Sequence, residues 1–477
     1  MTRSSSPAFA ERPNIRPNII FIVADDLGYA DLGCYGGRDA AFGKVSPVLD
    51  ELAANGMKFI NGYANSPVCS PTRFALMTAR YQYHLRGAAE EPINSKSRGS
   101  LTLGLPPEHP TLPSLLKDAG YRTALIGKWH LGYPPAFGPI KSGYEEFIGP
   151  MSGGVDYFTH CNWAGEHDFY IDEAEKHVEG YLTDLISNRS VDYVNRMAAT
   201  QKQGQRQGQE HGAEHQPFFL SMHYTAPHWP WETRDDKALA VEVKNNLFHL
   251  HGGNIETYQR MIHHMDEGIG QVVETLKAHD MLDNTLIVFT SDNGGERFSD
   301  NWPLVGGKMD LTEGGIRVPY IAHWPAGIKV TEKTTDNVVH NAACAISTQH
   351  CLTMDWSATM LSLGGAKAHS DYPLDGVDLS GVLRDGETFG RTLFWRMNHR
   401  EQQAYRLNEY KYLRVDQYEY LFNIESDPRE RANLAHIMPD KLAEMRAQWQ
   451  AWNATMPPIP NDATVSLGYG LADMPQR

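Results

Sequence analysis

Several short stretches carry residue types that could do chemistry, and the most pointed is Cys69-Ser70-Pro71-Thr72-Arg73. Ser70 fits a helix N-cap and Pro71 the first helical position, where its missing N–H costs nothing. Phe74, Leu76 and Met77 then give that helix apolar residues to bury. Cys69 is expected just ahead of the helix, where free N–H groups and the helix dipole favour an anion. Arg73, four residues on, can reach back to the same point. A cysteine, an arginine and a helix start converging there suit an anionic substrate. The plainer reading is a buried cysteine before an ordinary helix.

Asp25-Asp26 and Asp292-Asn293 offer only oxygen ligands, which suit Ca2+ or Mg2+ rather than zinc or copper. Singly, each pair reads as a turn or a cap; two such pairs at strand ends favour a metal. Lys128-Trp129-His130 spaces a lysine and a histidine two apart, on one face of a continuing strand, although alone they would read as solvated. His228 stands between Pro227 and Pro230, whose rings predict an extended backbone. Lys308 follows Gly306-Gly307, a loop able to fold close to a ligand but one that says little alone.

Uninterrupted apolar runs at 18–24, 123–126, 218–222 and 285–289 mark strands buried on both faces. Helical stretches lie between them at 46–54 and 111–119, with a long one from about 255 to 278 whose apolar residues recur at 3–4 spacing. The alternation predicts an α/β fold with a large, mainly parallel, doubly wound sheet flanked by helices. In such sheets the binding crevice lies outside the carboxyl ends of the strands. Each of these strands ends in charged or ligand-type residues, so Asp25, Asp26, Lys128, His130, His228, Asp292 and Asn293 are expected to meet. Short aromatic runs at 392–395, 404–407, 410–415 and 420–422 predict a small antiparallel sheet, and a helix follows at 439–452. The expected division is a catalytic domain over 1–384 and a small C-terminal subdomain over 385–477. The Gln/Gly/His/Glu-rich stretch 201–216 reads as a solvated surface loop.

With 477 residues, 41% hydrophobic and 21% charged, the chain has an ordinary globular balance and can bury a large core. A formal charge of −15 speaks against nucleic acid or an anionic membrane as partner, so an anionic substrate must be drawn by a local positive cluster. No apolar run approaches a membrane span. The polar start lacks a hydrophobic signal core, and the expected location is cytoplasmic. The five cysteines are too few and scattered for a disulfide framework, and Cys344 and Cys351, seven apart, read as one buried helix face. Oligomeric state leaves no mark in the sequence.

Cys69, Pro71 and Arg73 together resemble the signature of the type I, formylglycine-dependent sulfatases, the arylsulfatase-like branch of the alkaline phosphatase superfamily. The signature's second half departs: Met77-Thr78-Ala79-Arg80 stands where members usually read Leu-Thr-Gly-Arg, a small change if position 79 lies on a helix. Gly127-Lys128-Trp129-His130-Leu131-Gly132, Pro227-His228-Trp229-Pro230, and Lys308 before Glu313-Gly314-Gly315-Ile316-Arg317 match further family patterns. Met151 to Phe158, Gly180 to Asp184, and Leu421 to Leu434 extend the resemblance.

The resemblance implies that Cys69 is oxidised to formylglycine by a maturation enzyme. It also implies that one Ca2+ is held by Asp25, Asp26, Asp292, Asn293 and the converted residue 69. The hydrated aldehyde would supply one hydroxyl to attack sulfur and a second to expel sulfate, two easier steps in place of one. Arg73, Lys128 and Lys308 would offset charge on the sulfuryl oxygens. By the same resemblance His228, with Lys308, would protonate the leaving oxygen, and His130 would assist the hydrate. The implied reaction is hydrolysis of small organic sulfate monoesters of aryl type. A phosphonate or phosphate ester hydrolase using the same nucleophile is the alternative, and a non-catalytic binder of sulfated ligands would have no use for the hydrate. Trp163, Trp229, Trp231 and His160 are candidate pocket walls.

Overall fold

The Asn18–Ala24 strand is buried along its whole length because it lies within a ten-stranded sheet with neighbours on both sides. Its alternate side chains enter different cores. Ile20 and Ile22 pack with Ile186 of the Leu182–His211 helix and with Met261, Ile262 and Met265 of the Ile255–Ala278 helix. Ile19, Phe21 and Val23 pack instead with Phe74, Leu112, Leu116, Trp356 and Met360. A period of two on a sheet covered on both faces accounts for the unbroken apolar run. Burying each large aliphatic side chain stabilises the fold by about 1.5–3 kcal/mol.

The computed structural model describes residues 16–211, 216–243, 252–328, 334–335, 338–339 and 345–467. In spatial order the large sheet runs 345–347, 57–59, 320–323, 285–291, 18–24, 218–223, 122–127, 146–149, 170–171, 174–175. The centre, 285–291 through 146–149, is parallel throughout. The 320–323 strand joins it antiparallel at one side, and the 170–171 strand does so at the other. Expected strands and helices fall close to their observed bounds, and the Ile255–Ala278 helix, capped by Asn254 through Thr257 N–H, spans the expected residues.

The C-terminal sheet is antiparallel, ordered 392–396, 403–407, 410–415, 418–423. The Pro439–Asn453 helix buries Met445 and Trp449 against Tyr405, Tyr412 and Leu421 of that sheet. The sheet is tied to the larger one by Trp395, whose indole N–H donates to the Ala64 carbonyl (2.9 Å), and by the ion pairs of Glu313 with Arg406 and Lys411.

Two expectations need correction here. Residues 201–211 are not loop: they continue the Leu182–His211 helix. Glutamine, arginine, glutamate and lysine are good helix formers whatever their periodicity, so a polar stretch can extend an amphipathic helix already nucleated by packing. Cys351 does not lie on a helix face but in the short Cys351–Leu352 strand, while Cys344 lies outside the described residues. Among the described residues no helix is long and apolar enough to cross a membrane.

Candidate active site

Asp25 and Asp26 follow the Asn18–Ala24 strand directly, and Asp292 and Asn293 follow Thr285–Ser291. These two strands are hydrogen-bonded neighbours in parallel register, Ala24 opposite Ser291, so the acid pairs arrive side by side. Lys128 follows Arg122–Gly127, and His228 comes five residues after Phe218–His223. Gly127 ends its strand at φ +120°, and a Cβ there would stand 1.8 Å from the His223 carbonyl oxygen. Only glycine allows that approach, which lets Lys128 N–H donate to the same oxygen at 2.8 Å.

Each acid has one lysine or arginine partner. Lys128 Nζ lies 2.5 Å from Asp25 Oδ2, Lys308 Nζ 2.6 Å from Asp26 Oδ2, and Arg73 Nη2 2.8 Å from Asp292 Oδ2. Asp26 Oδ1 accepts from Asn293 Nδ2 at 2.7 Å. Two oxygens are left over: Asp25 Oδ1 and Asn293 Oδ1 are buried without a hydrogen-bond partner. Burial and the Asp292 charge push Asp25 up to about 8, against the pull of Lys128. Burial would raise Asp26 too, but Lys308 and His228 outweigh it and hold the carboxyl at about 2. Crowded carboxylates with unspent lone pairs are the donor set of a hard divalent cation. Cys69 Sγ belongs to the same cluster: ligand atoms of Asp25, Cys69 and Asp292 all lie within 4.8 Å of one another. Burial pushes the Cys69 thiol up to about 11 although Lys128 and Lys308 are near, so this is no activated thiolate.

His228 Nδ1–H donates to the Trp229 carbonyl (2.6 Å), which leaves Nε2, 3.6 Å from Asp26 Oδ2, as the nitrogen able to gain or lose a proton. His130 Nε2–H donates to the Ile93 carbonyl (2.7 Å), and its Nδ1 is buried without a partner. Burial, together with Lys308 for His228 and Lys128 for His130, pushes both imidazoles well below their ordinary range.

Cys69, His130, His228 and Lys308 line one small pocket of about 40 Å3, whose walls include Tyr133, Gly153, Gly154, Trp163 and Trp229. A larger cavity of about 660 Å3 opens between Tyr29, Arg317, His350 and Arg406, and no residue singled out for chemistry lines it.

The Sulfatase family profile matches residues 17–366, most of the chain, and its span takes in every one of these side chains.

The chain belongs to the sulfatase family.

N-acetylgalactosamine-6-sulfatase of Sus scrofa is 32% identical over 402 residues, covering 80% of this sulfatase and 68% of its own length. Arylsulfatase J of Mus musculus is 32% identical over 378 residues, 78% of this chain and 56% of that protein. The crystal structure of Ps i-CgsB superposes with a TM-score of 0.76 at 32% identity, covering 92% of each chain. Ps i-CgsB has also been solved in complex with k-i-k-neocarrahexaose. This sulfatase is a sulfuric ester hydrolase, built on the same large sheet with a small C-terminal antiparallel sheet.

Every residue singled out for chemistry reaches this one end of the sheet, but several local expectations need correction. Ser70 is not the cap: the helix spans Cys69–Thr78 with Val68 before it, so Cys69 lies in the first turn. Ser70 Oγ instead accepts from Ile93 N–H (3.0 Å), while Thr72 Oγ1 bridges Ser66 N–H and C=O, both at 2.9 Å. Ala79 is no ordinary helix position but the C-cap, left-handed at φ +53°, where glycine is favoured. Lys128 and His130 are not on a continuing strand, because Gly127 ends it and His130 itself has φ +62°. His228 is not in an extended run: its N–H donates to the Thr225 carbonyl (2.9 Å) across a turn. Arg73 does not face the pocket. It spends its guanidinium on Asp292, on the Lys128 carbonyl (3.1 Å) and on His223 Nδ1 (3.3 Å). Lys128 is likewise fully buried behind Asp25.

Of the expected walls, Trp163 and Trp229 line the pocket; Trp231 packs on Phe298 and His160 on Phe169. Three contributors lie outside the residues singled out above. His223, the last residue of its strand, braces Arg73 and would have been found by extending the apolar run one residue. Ser466 and Leu467 reach the pocket from beyond the Pro439–Asn453 helix, held by Ser466 N–H to the Glu91 carbonyl (2.9 Å).

Proposed function

We propose that this sulfatase hydrolyses sulfate monoesters of carbohydrate alcohols, with aryl sulfates turned over at the same centre, through a formylglycine at position 69 and one bound Ca2+. The observation that carries the reading is Cys69 in the first turn of its helix, clustered with Asp25 and Asp292 and lining the pocket. The relatives named for N-acetylgalactosamine-6-sulfate hydrolysis support a sugar ester, and Trp163 and Trp229 give the pocket flat apolar walls.

Asp25, Asp26, Asp292 and Asn293 would hold the ion with residue 69, and the ion would supply positive charge to the sulfuryl oxygens. The three acids are already balanced by three cations, Lys128, Lys308 and Arg73. A divalent ion therefore leaves an excess of positive charge that only an anionic substrate offsets. Arg73 positions Asp292, and Lys128 positions Asp25. Lys308 and His228 share Asp26 Oδ2, so a proton can reach the leaving oxygen from either. His130 Nδ1, unpartnered, is an acceptor for a hydroxyl on residue 69.

The mass of the tryptic peptide carrying residue 69 tests the proposal. Conversion oxidises the Cys69 –CH2SH group to –CHO, with molecular oxygen as the oxidant used by the maturation enzyme, so the peptide loses the sulfur and two hydrogens and gains one oxygen. Fully active enzyme with only unmodified cysteine at 69 would rule the mechanism out. Maturation by a formylglycine-generating enzyme is part of the same proposal, and expression without one should give inactive protein.

A further inference from the structure

Away from the pocket floor, the 156–180 segment carries a second group of metal-ligating side chains that the chemistry above does not use. Ligand atoms of His167, Glu175 and His177 all lie within 4.8 Å of one another. His167 Nδ1 is 2.9 Å from Glu175 Oε1, and the His167 and His177 rings approach to 3.9 Å between centroids. The arrangement follows from the hairpin Tyr170–Ile171 and Ala174–Glu175, which folds residues after 175 back beside those before 170. Lys176 N–H donates to the Phe169 carbonyl at 2.8 Å, extending the pairing by one step. Glu175 and His177, two apart, share a face, and the His167 side chain, just beyond the paired residues, reaches both of them.

Two imidazoles and a carboxylate are a donor set for zinc-type ions rather than for calcium, and they leave the fourth position of a tetrahedron to water. A tetrahedron with bonds of about 2.0 Å has edges of about 3.3 Å, so the side chains need to close by at most about 1.5 Å. Glu175 and His177 are exposed and free to do so. The oxygen-only set of Asp25, Asp26, Asp292 and Asn293 selects a different ion, so the two sites need not compete.

We propose that His167, Glu175 and His177 bind one divalent transition-metal ion of zinc type, which fastens the hairpin beneath the rim of the substrate pocket. The hairpin's attachment to that rim is direct. Asp168, next to His167, accepts from Met151 N–H (3.1 Å) and Ser152 N–H (2.9 Å), and Ser152 to Gly154 line the pocket. Trp163, four residues before His167 and edge-on to Trp229, belongs to the same strap. An ion clipping the strap's two arms would hold Asp168 and Trp163 in register with the wall they form.

The test is calorimetric titration of Zn2+ into the full-length, Ca2+-saturated enzyme, repeated with Co2+ for the visible bands of a four-coordinate site. One ion per chain is expected, weakened at least about 100-fold in His177→Ala and in His167→Ala, a larger loss than outer partners of a metal cause. Glu175→Gln should weaken it too, and His279→Ala, a histidine on another face, should bind as wild type does. Absence of a Zn2+ site in the Ca2+-saturated enzyme, or equal affinity in His177→Ala, overturns the proposal. Zn2+ should also slow amide exchange across 161–177 in wild type and not in His177→Ala; unchanged exchange overturns the fastening. None of these readouts depends on turnover, so they stand or fall apart from the sulfatase mechanism.

Discussion

Charge is buried in two places, at the carboxyl ends of the central strands and at the seam where the C-terminal sheet meets the large one. At the seam Glu313 Oε1 takes Lys411 Nζ (3.0 Å), and Oε2 takes Tyr63 Oη–H (2.8 Å) and Arg406. Glu430 Oε1 pairs with the same Lys411 (2.9 Å), and its Oε2 accepts Glu313 N–H (2.7 Å). Every carboxylate oxygen there faces a cation or a donor, although Glu430 Oε1 meets Lys411 as an ion pair and not as a formed hydrogen bond. At the strand ends the acids are paired one to one, yet Asp25 Oδ1 and Asn293 Oδ1 remain without partners. Burial raises Glu430 to about 6 against Lys411, whereas burial and Asp292 raise Asp25 to about 8. Both clusters use the same residue types at the same depth. The difference lies in what each leaves undone: a closed cluster holds two sheets together, and an open one holds lone pairs ready for an ion.

The largest effect should come from breaking the closed cluster. Lys411→Met strands Glu313 and Glu430 beside each other and should cost about 3–5 kcal/mol of stability. The variant's activity, measured cold, should fall only with the folded fraction; a variant as stable as wild type would show the seam to be inert. Opening the other cluster further should act the opposite way. Asp25→Asn is expected to lower turnover by about 10²–10³-fold. It should also abolish the rise in melting temperature that Ca2+ gives wild type; a full Ca2+ response would remove Asp25 from the ligand set.

A third buried acid sharpens the contrast, because among the described residues no cation pairs with it. Burial and Asp156 push Glu232 up to about 9 from its ordinary 4.5. The folded chain keeps a proton that the unfolded chain releases above that ordinary value. Stability is therefore full in acid and is lost as pH rises toward 9, by up to about 1.4 kcal/mol per pH unit. Glu232→Gln should flatten this slope in urea midpoints taken from acid to alkaline pH, and parallel curves would refute it. The smallest effect should be Ala79→Gly. Relief of the left-handed Cβ penalty, less the added chain entropy of glycine, should stabilise by about 1 kcal/mol. A lower urea midpoint would mean that the φ of +53° at position 79 carries no strain.

Much of the fold was legible because burial on both faces of a parallel sheet leaves a continuous apolar run, as at 18–24 and 285–289. The Ile255–Ala278 helix was legible because one face is buried and its period shows. What failed was local. Ser70 and Pro71 look like a cap, but contacts from Ile93 and Ser66 decide where the helix begins. The polar continuation to residue 211 has no period to read, and propensity alone does not distinguish it from loop.

By itself the sequence determined that acids, lysines and histidines end the central strands, and a parallel sheet must bring such ends to one edge. It also determined the Cys69-x-Pro71-x-Arg73 signature, whose residue types are chemistry in themselves. Only the tertiary structure decided which oxygens stay open, that Arg73 turns to Asp292 and not to the pocket, and that Ser466 and Leu467 close one wall. Those contacts join residues far apart in the chain. Their energies depend on distance and desolvation in the folded state, for which neither spacing nor composition leaves a trace.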